Sequence, residues 1–217
     1  MNTTEQQVFI IDDDEAVRDS MSMLLETIDL PHRCFASARE FLEFFDGTQR
    51  GCLVLDIRMP GMSGLDLQQH LNDDNAMLPI IFITGHGDIP MAVEAMRHGA
   101  LDFMRKPFRE QDLLDRIQQA LEYEAGTRDI LLDRAKILQR IATLTARERE
   151  VFERVAQGQA NKVIAIDLGI SERTVEVHRA QVMKKLEVRT LAELVRAKID
   201  AERPVHDVLA PGSADIS

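Results

Sequence analysis

Cysteine is scarce in this chain. Cys34 and Cys52 are the only two in 217 residues, each inside an apolar stretch and neither part of a Cys-x-x-Cys pair. No cysteine and histidine spacing fits a structural zinc site. Both thiols are therefore expected as core residues rather than as a disulfide. Long apolar runs are also missing, none approaching the roughly 18 residues that a membrane span needs. The N-terminus lacks the basic start and apolar stretch of a signal peptide, so the chain is expected to be cytoplasmic, with no membrane partner. No internal repeat is visible. Basic charge is in deficit, with a net charge of −11, which makes nucleic acid a poor default partner. The deficit is uneven. Residues 1–140 hold 25 acidic and 14 basic side chains, whereas residues 141–203 hold 12 basic and 10 acidic. A local basic face can still bind DNA, because counterion release depends on contacts rather than total charge.

Four short apolar runs each end in a polar group. Val8-Phe9-Ile10-Ile11 leads to Asp12-Asp13-Asp14, and Cys52-Leu53-Val54-Leu55 leads to Asp56. Ile80-Ile81-Phe82-Ile83 leads to Thr84, and Asp102-Phe103-Met104 leads to Lys106-Pro107. Such runs alternate with helical patterns over residues 1–121. The reading is strands at 8–11, 32–35, 52–55, 80–83 and 102–104, with helices at 15–29, 38–46, 64–72, 89–97 and 110–121. This alternation predicts a doubly wound parallel α/β sheet, whose strand carboxyl ends are where ligands bind.

Several carboxylates meeting at that edge repel one another unless a hard cation joins them. Mg²⁺ (or Mn²⁺) prefers oxygen ligands. Asp13 is the first choice as a direct ligand, with Asp12 direct or through water, Asp56 supplying another oxygen and the Arg58 backbone carbonyl completing the set. A carboxylate can also attack phosphorus. Asp56, exposed on a tight loop after its strand, is the candidate acceptor. Lys106 offers a compact positive charge for phosphoryl oxygens, and Thr84 offers a hydroxyl. Each residue alone is commonly a cap or loop residue; their joint order, each after its own strand, carries the specificity. Asp14 and Glu15 read as first-turn helix acids.

Residues 8–121 resemble the receiver domain of bacterial two-component response regulators. The match lies in Asp12-Asp13, Asp56, Arg58-Met59-Pro60-Gly61-Met62-Ser63-Gly64, Thr84-Gly85, Phe103 and Lys106-Pro107. The resemblance implies a five-stranded flavodoxin-like sheet and phosphoryl transfer from a sensor histidine kinase to Asp56. It also implies a cis peptide before Pro107, and a switch in which Thr84 approaches the phosphate while Phe103 swings inward. Many members carry Tyr at the aromatic position, so a switch that depends on that hydroxyl is not available here. Receiver pairing is implied on the face formed by residues 89–121.

Residues 144–203 read as all-helical, with helices at 146–157, 161–168, 171–186 and 190–201, Gly158 and Gly169 as punctuation, and a capping box at Thr145–Glu148. Asn161 to Leu168, a turn at Gly169, and Ser171 capping a longer helix have helix-turn-helix spacing. Val175, Val182 and Leu186 mark the inward face of the second helix, with His178 expected in the core. Arg173, Glu176, Val177, Ala180 and Lys184 mark another face. The start of such a helix meets base edges: Glu176 suits a cytosine amino group and Val177 a thymine methyl. Lys162, Thr174, Arg179, Lys184 and Lys185 suit phosphates. The segment resembles the output domain of the LuxR superfamily, through Leu144-Thr145-Ala146-Arg147-Glu148-Arg149-Glu150-Val151, Asn161-Lys162-Val163-Ile164-Ala165 and Thr174-Val175-Glu176-Val177-His178-Arg179.

Residues 122–143 are expected as a helical linker. Ile130, Ile137 and Leu144 recur every seven residues with Ile141 between, which fits either a short coiled coil or a helix packing on its own domain. Residues 204–217 are expected as a disordered tail. The whole is similar to response regulators of the FixJ/NarL type: a transcription regulator rather than an enzyme, acting on promoter DNA, as a homodimer when phosphorylated, with RNA polymerase as a further partner. Two alternatives remain at this point. One is a pseudo-receiver controlled by protein contact or ligand. The other is an Asp-nucleophile phosphatase, which the Arg at position 58, two residues after Asp56, disfavours.

Overall fold

The computed structural model describes residues 5–85 and 89–204. They divide into two compact units, 5–128 and 129–204. The tail expected at 204–217 lies outside the described residues, apart from Pro204.

The first unit carries strands β1 (Gln7–Ile11), β2 (His32–Phe35), β3 (Gly51–Asp56), β4 (Ile80–Thr84) and β5 (Asp102–Arg105). Between them run helices α1 (Glu15–Glu26), α2 (Ala38–Phe44), α3 (Gly64–Asp73) and α4 (Ile89–Arg97). All pairings are parallel, in the order β2-β1-β3-β4-β5, the expected flavodoxin-like arrangement. The strands read as nearly unbroken apolar runs because both faces are covered. Phe9, Ile11, Leu53, Leu55 and Phe82 face one core; Val8, Ile10, Cys52, Val54, Ile81 and Ile83 face the other. Each such side chain contributes about 1.5–3 kcal/mol on burial. Cys52 is fully buried and both cysteines are free thiols.

Register places the site. Ile11 pairs with Leu55 and Asp56 with Ile83, so Asp12 and Asp56 leave neighbouring strands at one level. Gly64 holds the β3–α3 turn tight: a Cβ there would lie 2.4 Å from the Asp56 carbonyl oxygen and 3.0 Å from the Phe82 ring. The turn enters α3 through a capping box in which Ser63 and Asp66 satisfy each other's backbone N–H.

The helix expected at 110–121 and the helical linker expected after it form one helix, α5 (Glu110–Ala142). Its first part is tied to the sheet by Glu124, whose side chain is fully buried. Glu124 accepts from Gln6 Nε2 at 2.7 Å, Arg50 Nη2 at 3.1 Å and Arg128 Nε at 2.7 Å. Burial works to raise its pKa, but these donors hold it below the usual carboxylate range.

The second unit packs the end of α5 with α6 (Ala146–Ala156), α7 (Asn161–Leu168), α8 (Glu172–Leu186) and α9 (Leu191–Glu202). Ile141 and Leu144 are buried in its core with Val151, Phe152 and Ile164, and Ile137 packs against them. Three of the four stripe residues are thus used within this unit, while Ile130 is exposed. Those three follow the packing alternative. Helix carboxyl ends are covered by arginines, as the helix dipole favours: Arg149 donates to Ile141 O at 3.0 Å, Arg147 to Leu168 O at 2.6 Å and Arg134 to Ala201 O at 3.3 Å.

Candidate metal centre and nucleic-acid interface

Asp12, Asp13, Asp14, Asp56, Arg58, Gly85 and Lys106 line one cleft at the strand carboxyl ends. Asp12, Asp13 and Asp56 each bring a carboxylate oxygen within 4.8 Å of the others. Such an all-oxygen donor set fits Mg²⁺ or Mn²⁺. Asp12 is buried, and so is Asp56, which ends β3 instead of standing exposed on a loop after it, whereas Asp13 is exposed at the mouth. Lys106 Nζ lies 2.6 Å from Asp12 Oδ2 and 3.8 Å from Asp56 Oδ1. The Lys106–Pro107 peptide is cis, as the family resemblance implied.

Burial pushes the Asp56 pKa up to about 6; Lys106 pulls it down, while Asp12 and Asp13 add to the rise. The cleft therefore holds more negative charge than Lys106 offsets, the condition in which a bound cation is favourable. Thr84 and Phe103 do not line the cleft. Thr84 is buried at the end of β4, its carbonyl accepting the Lys106 N–H at 2.7 Å. Phe103 is half-buried against the core that contains Phe82. Arg58 is exposed at the mouth.

Two features differ from or add to the sequence expectation. Asp14 is not a first-turn acid but the N-cap of α1, accepting from Ala16 N. Arg18 Nη1 donates to the Asp12 carbonyl oxygen at 2.7 Å. The sole sequence signal for it is a basic residue in a helix first turn, where the dipole disfavours one.

In the second unit, α7 ends at Gly169 in the left-handed conformation (φ 64°), and Ser171 caps α8 by accepting from Thr174 N. Val175, Val182 and Leu186 are buried as expected. Arg173, Glu176, Val177, Ala180 and Lys184 are exposed on α8, and Lys162 is exposed on α7. Thr174 is half-buried, its hydroxyl 2.8 Å from that of Ser171. Arg179 bonds Asn161 at 3.2 Å, which ties the two helices together. His178, expected in the core, is half-buried. Lys185, expected at a phosphate, is instead engaged inside the unit: its Nζ lies 2.6 Å from Glu148 Oε2 and 3.2 Å from the Thr143 carbonyl oxygen. The Lys185 bond, with those from Thr145, holds the Glu148 pKa down to about 2. The sequence hides this pairing because the partners are far apart along the chain.

Residues 8–118 match the family of response regulator receiver domains, and residues 142–197 match the luxR family of bacterial regulatory proteins. The chain is 46% identical to the response regulator protein TmoT of Ectopseudomonas mendocina, over 90% of this chain and 89% of that one. It is 48% identical to the transcriptional regulatory protein FixJ of Azorhizobium caulinodans, over 87% and 90%. Among solved structures, the response regulator StyR superposes with a TM-score of 0.78 at 46% identity, covering 90% of this chain and 98% of that one. Full-length FixJ from B. japonicum gives 0.56 at 41%, covering 92% and 98%. With both parts of the chain matched in this way, it belongs to the response regulators of the FixJ type, which join a receiver domain to a LuxR-type DNA-binding domain.

Proposed function

We propose that Asp56 accepts a phosphoryl group from a sensor histidine kinase and that this controls promoter binding. The observation that carries the reading is the convergence of three carboxylates within 4.8 Å, with Lys106 beside two of them. A carboxylate oxygen of Asp56 forms a bond to phosphorus as the P–N bond to the donor imidazole breaks, the electron pair staying with the imidazole. Asp12, Asp13, Asp56 and the Arg58 carbonyl would hold Mg²⁺ or Mn²⁺, which neutralises charge on the transferring group. Lys106 and Thr84 would contact the phosphoryl oxygens. The rise of the Asp56 pKa to about 6 leaves the nucleophile ionised at neutral pH. Nothing beyond the receiver's own phosphorylation and dephosphorylation is catalysed.

In this reading residues 1–121 receive the phosphoryl group, 122–143 join the parts and 144–203 bind DNA. Phosphorylation adds roughly −1.5 to −2 charges and favours the arrangement in which Thr84 and Lys106 reach them and Phe103 turns inward. Pairing on the 89–121 face then presents two recognition helices about 34 Å apart. Arg173, Glu176, Val177 and Ala180 would read bases, and Lys162, Thr174, Arg179 and Lys184 would hold phosphates. RNA polymerase is the partner expected at the promoter, in the cytoplasm. The test is incubation with radiolabelled acetyl phosphate, with Mg²⁺ or with EDTA, followed by DNA binding. Wild type is expected to take label and bind DNA more tightly only with Mg²⁺. An Asp56→Asn protein that responded like wild type would remove phosphorylation from the account.

A further inference from the structure

The acid cleft has a basic neighbour that the proposed chemistry does not use. Arg18 lies in the first turn of α1, where a cation opposes the positive end of the helix dipole. Rather than extending into solvent, its half-buried side chain turns back, and Nη1 donates to the Asp12 carbonyl oxygen at 2.7 Å. All four polar atoms of Asp12 are thereby held. Its N–H donates to Phe35 O at 3.3 Å, its Oδ1 accepts from Asp14 N at 3.0 Å, and its Oδ2 accepts from Lys106 at 2.6 Å. The bonds to Oδ1 and Oδ2 involve the atoms that a cation would take. The Arg18 bond does not; it grips the backbone from which the Asp12 and Asp13 side chains hang. That bond need not change when the carboxylates are engaged.

We infer that Arg18 is a positioning residue for the divalent-cation site. By pinning the Asp12 carbonyl it fixes the turn that makes the Asp12 and Asp13 carboxylates converge with that of Asp56. This rests on the cleft being a cation site, as proposed above. The role can be told from mere proximity of charge by its sign. A guanidinium held at the Asp12 backbone repels an incoming cation, so as a bystander its removal would tighten cation binding. As a positioning group its removal loosens binding, because preorganised ligands are lost.

The test is Mn²⁺ titration of the full unphosphorylated chain, reading free Mn²⁺ by electron paramagnetic resonance, for wild type, Arg18→Met and Arg18→Lys. Met keeps the length of the stem without donor or charge; Lys can still reach one carbonyl. Arg18→Met is expected to weaken Mn²⁺ binding by about tenfold or more, and Arg18→Lys to stay within about twofold of wild type. At saturating metal, phosphorylation of Arg18→Met by acetyl phosphate is expected to recover to within about twofold, placing the loss in affinity rather than rate. Arg18→Ala, read in the same way, covers the case in which Met disturbs the fold; cooperative melting identifies the variants to be read. Wild type that binds Mn²⁺ while the Met and Ala variants bind as tightly or more tightly would overturn the role of Arg18 alone. Wild type that binds no Mn²⁺ would overturn the cation site and this inference with it.

Discussion

Lys106 Nζ sits between two acids, bonded to Asp12 Oδ2 at 2.6 Å and 3.8 Å from Asp56 Oδ1. The ammonium therefore occupies an oxygen that a cation would use. Removing it, as in Lys106→Met, lifts the Asp56 pKa further and removes a competitor. At pH 8, Mn²⁺ binding is expected to tighten by about threefold to tenfold. The phosphorylated variant is expected to lose its gain in DNA binding. Titration and gel shift read the two effects; weaker Mn²⁺ binding would contradict this placement of the charge.

Asp56 also makes stability depend on pH with an unusual sign. Its pKa is raised from 3.8 to about 6 in the folded chain. Between those values the folded state binds more protons than the unfolded state, so stability falls as pH rises through 6. Neutral Asn removes that burden. Asp56→Asn is expected to be more stable than wild type at pH 7.5 without metal, by on the order of 1–3 kcal/mol. The gap is expected to close toward pH 4. Urea melts at the two pH values measure it.

The strands and the strand-end residues were legible in the sequence because a doubly covered parallel sheet demands apolar runs, and a run ends where the polar residue begins. Asp12, Asp56, Thr84 and Lys106 could be placed from order alone. What could not be read is long-range pairing. Glu124 looks like one more acid on a helix face; only the fold brings Gln6 and Arg50 to it. Glu124 itself lies beyond 121, in the stretch expected as linker. The seven-residue stripe at Ile130, Ile137 and Leu144 could not say which surface covers it, since core and coiled coil require the same spacing. The Lys185 side chain suits a phosphate, and that of Arg18 suits solvent, as long as the partner of each is invisible.

Glu148 and Lys185 fasten α6 to α8, with Nζ 2.6 Å from Oε2. The Lys185 bond, with the bonds from Thr145, holds the Glu148 pKa down to about 2, against 4.5 when unperturbed. Its stabilisation is present above 4.5 and is lost as pH falls toward 2. Lys185→Met is expected to lower stability by about 1–3 kcal/mol at pH 7 and by less at pH 3.5, read by thermal melts against wild type. An unchanged melt with a large loss of DNA affinity would instead return Lys185 to the phosphate contacts.

Base-reading and phosphate-holding residues of α8 separate by their effect on specificity. Lys184→Ala is expected to weaken all DNA sequences alike and to reduce the salt slope by about 0.9. Glu176→Ala is expected to relax preference at one base pair, by about 1–3 kcal/mol. Selection of bound fragments at two salt concentrations distinguishes them.

The most direct test is chemical location of the acyl phosphate. Protein treated with acetyl phosphate and Mg²⁺, reduced with borohydride and sequenced by mass spectrometry, should carry homoserine at position 56, and should lack it when Mg²⁺ is withheld. Homoserine at Asp12 or Asp13, or at no position while DNA binding still rises, would contradict Asp56 as the acceptor.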